Sequence, residues 1–317
     1  MSVFTKVAQS QLDDFLTHYT VGKCVDFKPI AAGVTNTNYF LDTDSGKFVL
    51  TLYEHHSDDE LDYILGLQQH LVNRGVRCSS PVTDRRGDFY STLNNRPAAI
   101  IQRLAGETPD EITQNRCESV ASELARFHIA GQDFQGYRPN PRGFDWLVAV
   151  RDMLDHELDS DDQSLISMVF QDYQRLSLDA IPGGPIHADL FHDNALFSGD
   201  HFEGILDFDY ACHDSFVFDL ATTINDWCTL SDGSLDMHLT DALLQAYQKE
   251  RPLKPEEVEA LPVMLRITAL RFWLSRLYDK VFPLSGELTF IKDPNEYRHL
   301  LSLYLARNLS DTFIFAT

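Results

Sequence analysis

The 317-residue sequence is short of positive charge, of paired cysteines and of long apolar runs. Lysine and arginine together number 26 against 48 aspartates and glutamates, for a formal net charge of −22. Such a chain has no general attraction to phosphate, which disfavours a nucleic-acid partner. The same charge suits an anionic substrate only where a metal ion neutralises it locally. The five cysteines, Cys24, Cys78, Cys117, Cys212 and Cys228, include no CxxC pair. An odd, scattered set argues against a disulfide framework and reads as small buried apolar residues in a reducing cytoplasm. No stretch approaches the roughly 18 apolar residues of a membrane span. The opening MSVFTKVAQSQLDDFL lacks the basic-then-apolar order of a secretory signal, so no membrane partner is expected. There is no HExxH for a zinc hydrolase, no complete G-x-G-x-x-G, no internal repeat and no low-complexity tract.

What is present is enough apolar residue, 44% of the chain, to build two lobes. Gln9–Tyr19 reads as an amphipathic helix, Val25–Ile30 as a strand, and Tyr39–Leu41 and Lys47–Tyr53 as strands around a turn at Asp42–Gly46. Asp58–Asn73 is periodic, with Leu61, Ile64, Leu65, Leu67 and Leu71 on its buried face and Gly75 ending it. A short hairpin around Arg85–Asp88 and the apolar strand Ala98–Ile101 complete this part. A boundary near residue 105 divides an N-terminal lobe, 1–105, from a C-terminal lobe, 106–317. Beyond it, Asn115–Ala130, Phe144–Leu158, Asp161–Leu176, Phe216–Trp227, Leu239–Glu250 and Glu256–Asp279 all read as helices. Pro255 sits at the start of the last run, and Pro262 marks its first turn or a kink. Strands first, then helices with one inserted hairpin, is an α+β arrangement.

That inserted hairpin holds the chemistry. Ala195–Phe197 and Gly204–Leu206 flank a Ser198-Gly199-Asp200 turn, with Asp189 and Asn194 before the first run and Asp207 after the second. Oxygen ligands at the mouth of a hairpin suit a divalent cation and a phosphate. Asp189 can orient a hydroxyl and accept its proton, Asn194 can offer a carbonyl oxygen to magnesium, and Asp207 supplies a carboxylate. His187 reads as a residue that fixes the loop.

Ile186-His187-Ala188-Asp189-Leu190-Phe191-His192-Asp193-Asn194, followed by Ile205-Leu206-Asp207-Phe208-Asp209, resembles the catalytic loop and metal segment of the aminoglycoside and choline phosphotransferases, a branch of the protein-kinase-like fold. Gly33–Phe40, Phe48–Glu54, Arg138–Gly143, Asn225–Cys228 and Leu270–Leu277 extend the resemblance, which is to bacterial homoserine kinases of this phosphotransferase type, over nearly the whole chain. It implies two lobes, a small antiparallel-sheet N-lobe and a mostly helical C-lobe. It also implies ATP and Mg2+, with transfer of phosphate to the hydroxyl of L-homoserine on the way to threonine. Kinases of choline, ethanolamine, aminosugars or other hydroxy amino acids, and a nucleotide-binding pseudokinase, are the alternative readings.

Carried across by position, Asp189 resembles the catalytic aspartate, and Asn194 and Asp207 the magnesium ligands. Gly33, Val34, Thr35, Asn36, Thr37 and Asn38 resemble the nucleotide loop, whose backbone N–H groups and Thr or Asn side chains would hold phosphate. Thr51 stands where kinase-like folds carry a strand lysine, as in the homoserine kinases of this type. Lys47, four residues earlier and about 13 Å away along a strand, is a poor substitute. The phosphates then fall to the loop backbone, magnesium or a basic residue from elsewhere. Glu60, the formal partner of that lysine, reads as a helix-start carboxylate. Gln102 and Leu104 fall at the adenine hinge, with Leu52, Leu196 and Leu206 as apolar cover. For a small amino-acid acceptor, Asp226 is the candidate for the ammonium and Arg271 or Arg276 for the carboxylate, with Arg138 and Arg142 as alternatives. Asp219 reads as a structural partner of the loop, His128 as a core histidine, and Trp227 and Trp273 as core or pocket-wall aromatics. The assembly expected is a monomer or homodimer.

Overall fold

A computed structural model describes residues 5–30, 35–283 and 292–306. These fall into two compact units, 5–105 and 106–283 with 292–306. Gly33 and Val34 of the expected nucleotide loop lie outside the described residues.

In the N-terminal unit, α1 (Gln9–Leu16) precedes β1 (Cys24–Pro29), β2 (Thr37–Thr43) and β3 (Gly46–Leu52). Then come α2 (Asp58–Asn73), β4 (Pro81–Val82), β5 (Ser91–Leu93) and β6 (Arg96–Gln102). All pairings are antiparallel, in the order β1-β2-β3-β6, with β4 and β5 both on the free side of β6. The expected hairpin at Arg85–Asp88 is therefore a turn between two strands that pair with a third. Asp84 shapes that turn, accepting from the N–H groups of Arg86 (2.8 Å) and Asp88 (3.0 Å). Alternation along β3 and β6 sorts the core. Leu50, Leu52, Ala98 and Ile100 pack with Leu12, Phe15 and Leu16 of α1, while Ala99 and Ile101 pack with Leu61 and Leu65 of α2. Ser57 and Glu60 form a reciprocal cap at the start of α2, the Glu60 carboxylate accepting from the Ser57 N–H at 3.0 Å. Glu60 thus takes its helix-start role.

The C-terminal unit runs α3 (Gln114–Gly131), α4 (Phe144–Met153), α5 (Ser160–Gln174), β7 (Gly183–Ile186), β8 (Ala195–Ser198), β9 (His201–Ile205) and β10 (Cys212–Ser215). Four helices follow: α6 (Phe216–Trp227), α7 (Met237–Glu250), α8 (Pro255–Val281) and α9 (Pro294–Ala306). β8 and β9 form the inserted hairpin, and β7 pairs antiparallel with β10, so that Ile186 faces Cys212. Helix α6 is the centre: every residue but Asp226 is buried, and it packs on α8, α3, α7, β7 and β10.

Several elements differ from the sequence reading, among them α1, which ends at Leu16 rather than Tyr19. Helix α4 ends at Met153 rather than Leu158, because acids gather at its C-terminal end and Asp159 caps α5 instead, accepting from the N–H of Asp161 (2.9 Å) and Asp162 (2.8 Å). Pro262 lies inside α8 without ending it. Helix α9 was not anticipated, although its buried Tyr297, Leu300, Leu301 and Tyr304 follow helical spacing.

Gly106 begins the C-terminal unit with φ +87°, and a Cβ there would lie 2.6 Å from the Phe197 carbonyl oxygen on β8. Glu107 and Phe197 exchange two backbone hydrogen bonds of 2.9 Å beside it. Gly106→Ala should lower stability by about 2–3 kcal/mol, from the positive φ and the clash together. Gly75→Ala, at φ +83° with open space around it, should lose about 1 kcal/mol. Denaturant titration of both variants checks this, and equal losses would refute the role of the contact.

Candidate active site

The loop after β7 must turn sharply, and it does so at Ala188, whose φ is +64°. A left-handed alanine costs about 1–3 kcal/mol unless its surroundings hold it. Asp219, one turn into α6, holds it: its carboxylate accepts from the His187 N–H (2.7 Å) and the Ala188 N–H (2.8 Å). Two turns later on the same helix, Asp226 accepts from the His192 N–H at 2.6 Å and the His192 ring Nδ1 at 2.8 Å. Trp227 Nε1 donates to the Leu190 carbonyl at 3.1 Å. One rigid helix therefore grips the loop through Asp219, Asp226 and Trp227.

Asp219 is itself wired into the core. Its carboxylate accepts from His128 Nε2 at 3.1 Å; His128 Nδ1 meets the Tyr247 hydroxyl at 2.6 Å. Tyr247 also accepts from Arg251 Nη1 at 3.1 Å, and Arg251 forms a two-pronged ion pair with buried Glu257 (2.9 and 3.2 Å). The donors run in one direction, from arginine through tyrosine and a neutral imidazole to the carboxylate. Burial alone would raise the Asp219 carboxyl, but the His128 hydrogen bond and the loop N–H groups hold it below the ordinary carboxylate value. Burial pushes His128 down, against the pull of Asp219 and Glu257 and with that of Arg251.

The candidate reacting groups follow from this frame. Asp189 closes the turn, its N–H on His187 Nδ1 at 3.3 Å, while His187 Nε2 meets the Leu206 carbonyl at 2.8 Å. The Asn194 amide nitrogen donates to the Asp189 carbonyl at 2.9 Å, a bond that does not engage the amide oxygen. Leu206 N–H donates to the Asn194 carbonyl at 2.8 Å, and Asp207 follows with φ +58°. The Asp207 side chain still meets solvent, but crowding by protein and by the Asp209 and Asp189 carboxylates pushes it up to about 8. Burial also raises Asp189, which the Arg271 guanidinium opposes from 3.1 Å. Asn194 and Asp207 with Asp189 beside them make an oxygen-only, electron-rich set. No group of three or more His, Cys, Asp or Glu side chains among the described residues could hold a metal on its own. One carboxylate and one amide fit a hard cation that completes its shell with water and phosphate.

The acceptor candidates separate. Arg271, on α8, has a side chain only 3% exposed and pairs with Asp189. Asp226 is committed to His192, as described, and Arg276 to Glu296 (2.6 Å) and the Asp293 carbonyl (3.0 Å) beside α9. Both charges are already satisfied by protein groups, which the sequence could not reveal without α9 and the loop contacts. Arg138 donates to the carbonyls of Asp209 (2.7 Å) and Ala211 (2.9 Å), bracing the chain after Asp207.

In the N-terminal unit, Thr51 fills the lysine position with a neutral pair, its hydroxyl donating to Asn38 Oδ1 at 2.8 Å. Asn36 and Thr37 are buried and bonded to Glu54, through its N–H (3.4 Å) and its carboxylate (2.8 Å). Their side chains serve the fold here rather than pointing outward, and Thr35 is half-buried just before them. Gln102 closes β6 with its N–H on the Ser80 carbonyl at 2.8 Å, and Leu104 follows in the connector. Sequence reasoning missed His192, Tyr247 and Arg251; the HADLFHDN string itself contains His192, but the other two act only through tertiary contacts.

Asp219→Asn should lower kcat by about 100-fold or more while the KM for ATP moves little, because loop placement rather than nucleotide binding is lost. His128 adds a pH dependence facing Asp219, Tyr247, Arg251 and Glu257. Below about pH 6.5 the unfolded chain takes up a proton that the folded state refuses, so acid reduces stability by up to about 1.4 kcal/mol per unit. The stability advantage of the native protein over His128→Gln should therefore shrink between pH 7.5 and 5.5. A constant gap in denaturant titrations would mean that His128 is not held neutral.

Comparison with known proteins agrees with this geometry. The profile of the phosphotransferase enzyme family matches residues 26–253. A homoserine kinase of Methylobacillus flagellatus is 43% identical over 306 residues, 96% of each chain. One from Neisseria meningitidis serogroup B is 40% identical over 95% of this chain and 99% of its own. Among solved structures, an amicoumacin kinase in complex with AMP-PNP, Ca2+ and Ami superposes with a TM-score of 0.72 at 16% identity, over 97% of this chain and 94% of its own. A microcompartment-associated aminopropanol kinase gives 0.67 at 18% identity, over 93% of this chain and 94% of its own. At those identities the structures show the fold, which is protein-kinase-like with an antiparallel-sheet N-terminal region and a helical C-terminal one. The sequence relatives show more: the chain belongs to the phosphotransferase enzyme family, within its homoserine kinases.

Proposed function

We propose that the protein transfers the γ-phosphoryl group of ATP to the side-chain hydroxyl of L-homoserine, giving ADP and O-phospho-L-homoserine, a step toward threonine. The observation that carries this is the Asp189–Asn194–Asp207 constellation, held by α6 in a chain 43% identical to a homoserine kinase over nearly its full length. Asp189 orients the acceptor hydroxyl and accepts its proton as the bond to phosphorus forms. Burial raises that carboxylate, and the Arg271 guanidinium opposes the rise from 3.1 Å. Asn194 and Asp207 would hold Mg2+, which when bound offsets the charge on the phosphate oxygens.

The nucleotide is assigned to the N-terminal unit, 1–105, and the acceptor to the C-terminal unit, 106–317. The segment Gly33–Asn38 offers phosphate its backbone N–H groups, since the Asn36 and Thr37 side chains are tied to Glu54. The Thr51–Asn38 pair replaces a charge by neutral donors, so less of the phosphate charge is met from this strand. The connector through Gln102 and Leu104 is assigned to adenine. The cytoplasm is the setting that five cysteines outside any disulfide suit. No helix among the described residues is long and apolar enough to cross a membrane.

A panel of hydroxyl acceptors with ATP and Mg2+ tests the reading: homoserine turnover should exceed that of choline, ethanolamine and aminoglycosides by orders of magnitude. ATP binding with no turnover of any acceptor would favour a pseudokinase. Asp189→Asn should keep ATP affinity and lose transfer by about 10²–10⁴-fold. Undiminished transfer would remove Asp189 from its role.

A further inference from the structure

Around the catalytic carboxylate, most charged side chains are consumed by the fold. Arg271 is bound to Asp189, Arg138 to backbone carbonyls, Arg276 to Glu296 and Asp226 to His192. Among the described residues, neither Arg142, which meets the Tyr210 side chain, nor Asp279 forms an ion pair. They carry opposite charges and lie within electrostatic reach of each other and of Arg271.

Tyr210 connects Arg142 to the reaction centre, and α8 connects Asp279 to it through Arg271. The Arg271 guanidinium, whose Nη1 is 3.1 Å from Asp189 Oδ1, sits 4.9 Å from the Tyr210 ring centre. The Arg142 guanidinium sits 5.6 Å from the same centre and 4.3 Å from that of Trp146. Arg142 is half-buried, in the stretch just before α4, and Asp279 is open to solvent near the end of α8. Arg271, Ser275 and Asp279 follow one another at four-residue spacing on one face of α8. Between the two charges on that helix, the Ser275 hydroxyl is buried with no hydrogen-bond partner, and so is Arg271 Nε. Buried polar atoms that the fold leaves unsatisfied, beside a catalytic carboxylate, mark a place built for a polar molecule.

We infer that Arg142, beside Tyr210, and Asp279, on the Arg271 face of α8, recognise the amino-acid end of the acceptor, Arg142 pairing with its carboxylate and Asp279 with its ammonium while Asp189 takes its hydroxyl. The inference rests on the homoserine reading and names the side chains that enforce it. Chemistry and charge both favour it. A zwitterion brings one charge of each sign, and neither can be desolvated without a partner. Arg142 offers a planar fork matched to a carboxylate. Its position over Trp146 and Tyr210 also covers the aromatic faces that a quaternary ammonium such as choline would need. An amino alcohol without a carboxylate leaves Arg142 unpaired, so the same pair selects against it.

The test is steady-state kinetics of the full-length protein, Arg142→Gln and Asp279→Asn with three acceptors: homoserine, 4-hydroxybutyrate, which lacks the ammonium, and 3-aminopropan-1-ol, which lacks the carboxylate. Each variant should raise the homoserine KM by about 10- to 100-fold, the loss of one charge-assisted hydrogen bond. Asp279→Asn should leave the use of 4-hydroxybutyrate unchanged, and Arg142→Gln that of 3-aminopropan-1-ol, because in each case the partner charge is already absent. The KM for ATP should stay the same in both. Homoserine turnover with an unaltered KM in either variant, or equal losses on all three acceptors, would overturn the site and leave the functional reading standing. No homoserine turnover by the native protein would overturn the functional reading, and the site with it.

Discussion

The structure depends on one buried carboxylate. Asp219 is fully enclosed, and a buried charge is tolerated only when every lone pair is met. Its donors are the His187 and Ala188 N–H groups on one side and His128 on the other. The first two hold a left-handed alanine in place, and with it the direction in which Asp189 leaves the strand. Hydrogen bonds to a charged acceptor contribute about 1.5–3 kcal/mol each, enough to offset the strain of one residue at positive φ. His128 in turn ties the carboxylate to Tyr247, Arg251 and Glu257, so that α3, α7 and the start of α8 all bear on the geometry of the loop.

Around this anchor the charges sort into two kinds. Arg138, Arg276, Asp226 and Arg251 are bonded to protein and hold backbone or helices in place. Asn194 and Asp207 present oxygen atoms for which no cationic partner is seen among the described residues, and burial raises both Asp189 and Asp207, the latter further through the Asp209 and Asp189 carboxylates. An acidic chain can handle a phosphorylated co-substrate because the local need is for a cation, whatever the net charge of the surface. Arg271 stands between the two kinds, buried like a structural residue but paired with Asp189, the proposed base.

The neutral Thr51–Asn38 pair shows the same economy in the N-terminal unit. Where related folds place a lysine, this strand carries a hydroxyl bonded to an amide of the neighbouring strand. A lysine there would face the α2 side of the sheet together with Ala99 and Ile101, a largely apolar layer in which an unpaired ammonium is costly.

Much was legible from residue order alone. Period-two and helical patterns predicted β3, β6, α2, α6 and α7, because each buries one face or all of itself in a core. The HADLFHDN and ILDFD strings pointed to Asp189, Asn194 and Asp207, because general base and hard-cation chemistry admits few residue types at short spacing. The residues that the sequence could not sort were the long charged ones. Asp226 and Asp279, or Arg276 and Arg142, are equivalent as letters. Only the packing of α6 under the loop and of α9 beside α8 pairs the first of each with a protein group, while Arg142 lies against Tyr210 and Asp279 stays open to solvent on α8. A motif carries the chemistry that its own atoms perform. Which charge remains available to a substrate depends on which others the fold has already neutralised, and that is decided by contacts between segments tens to hundreds of residues apart.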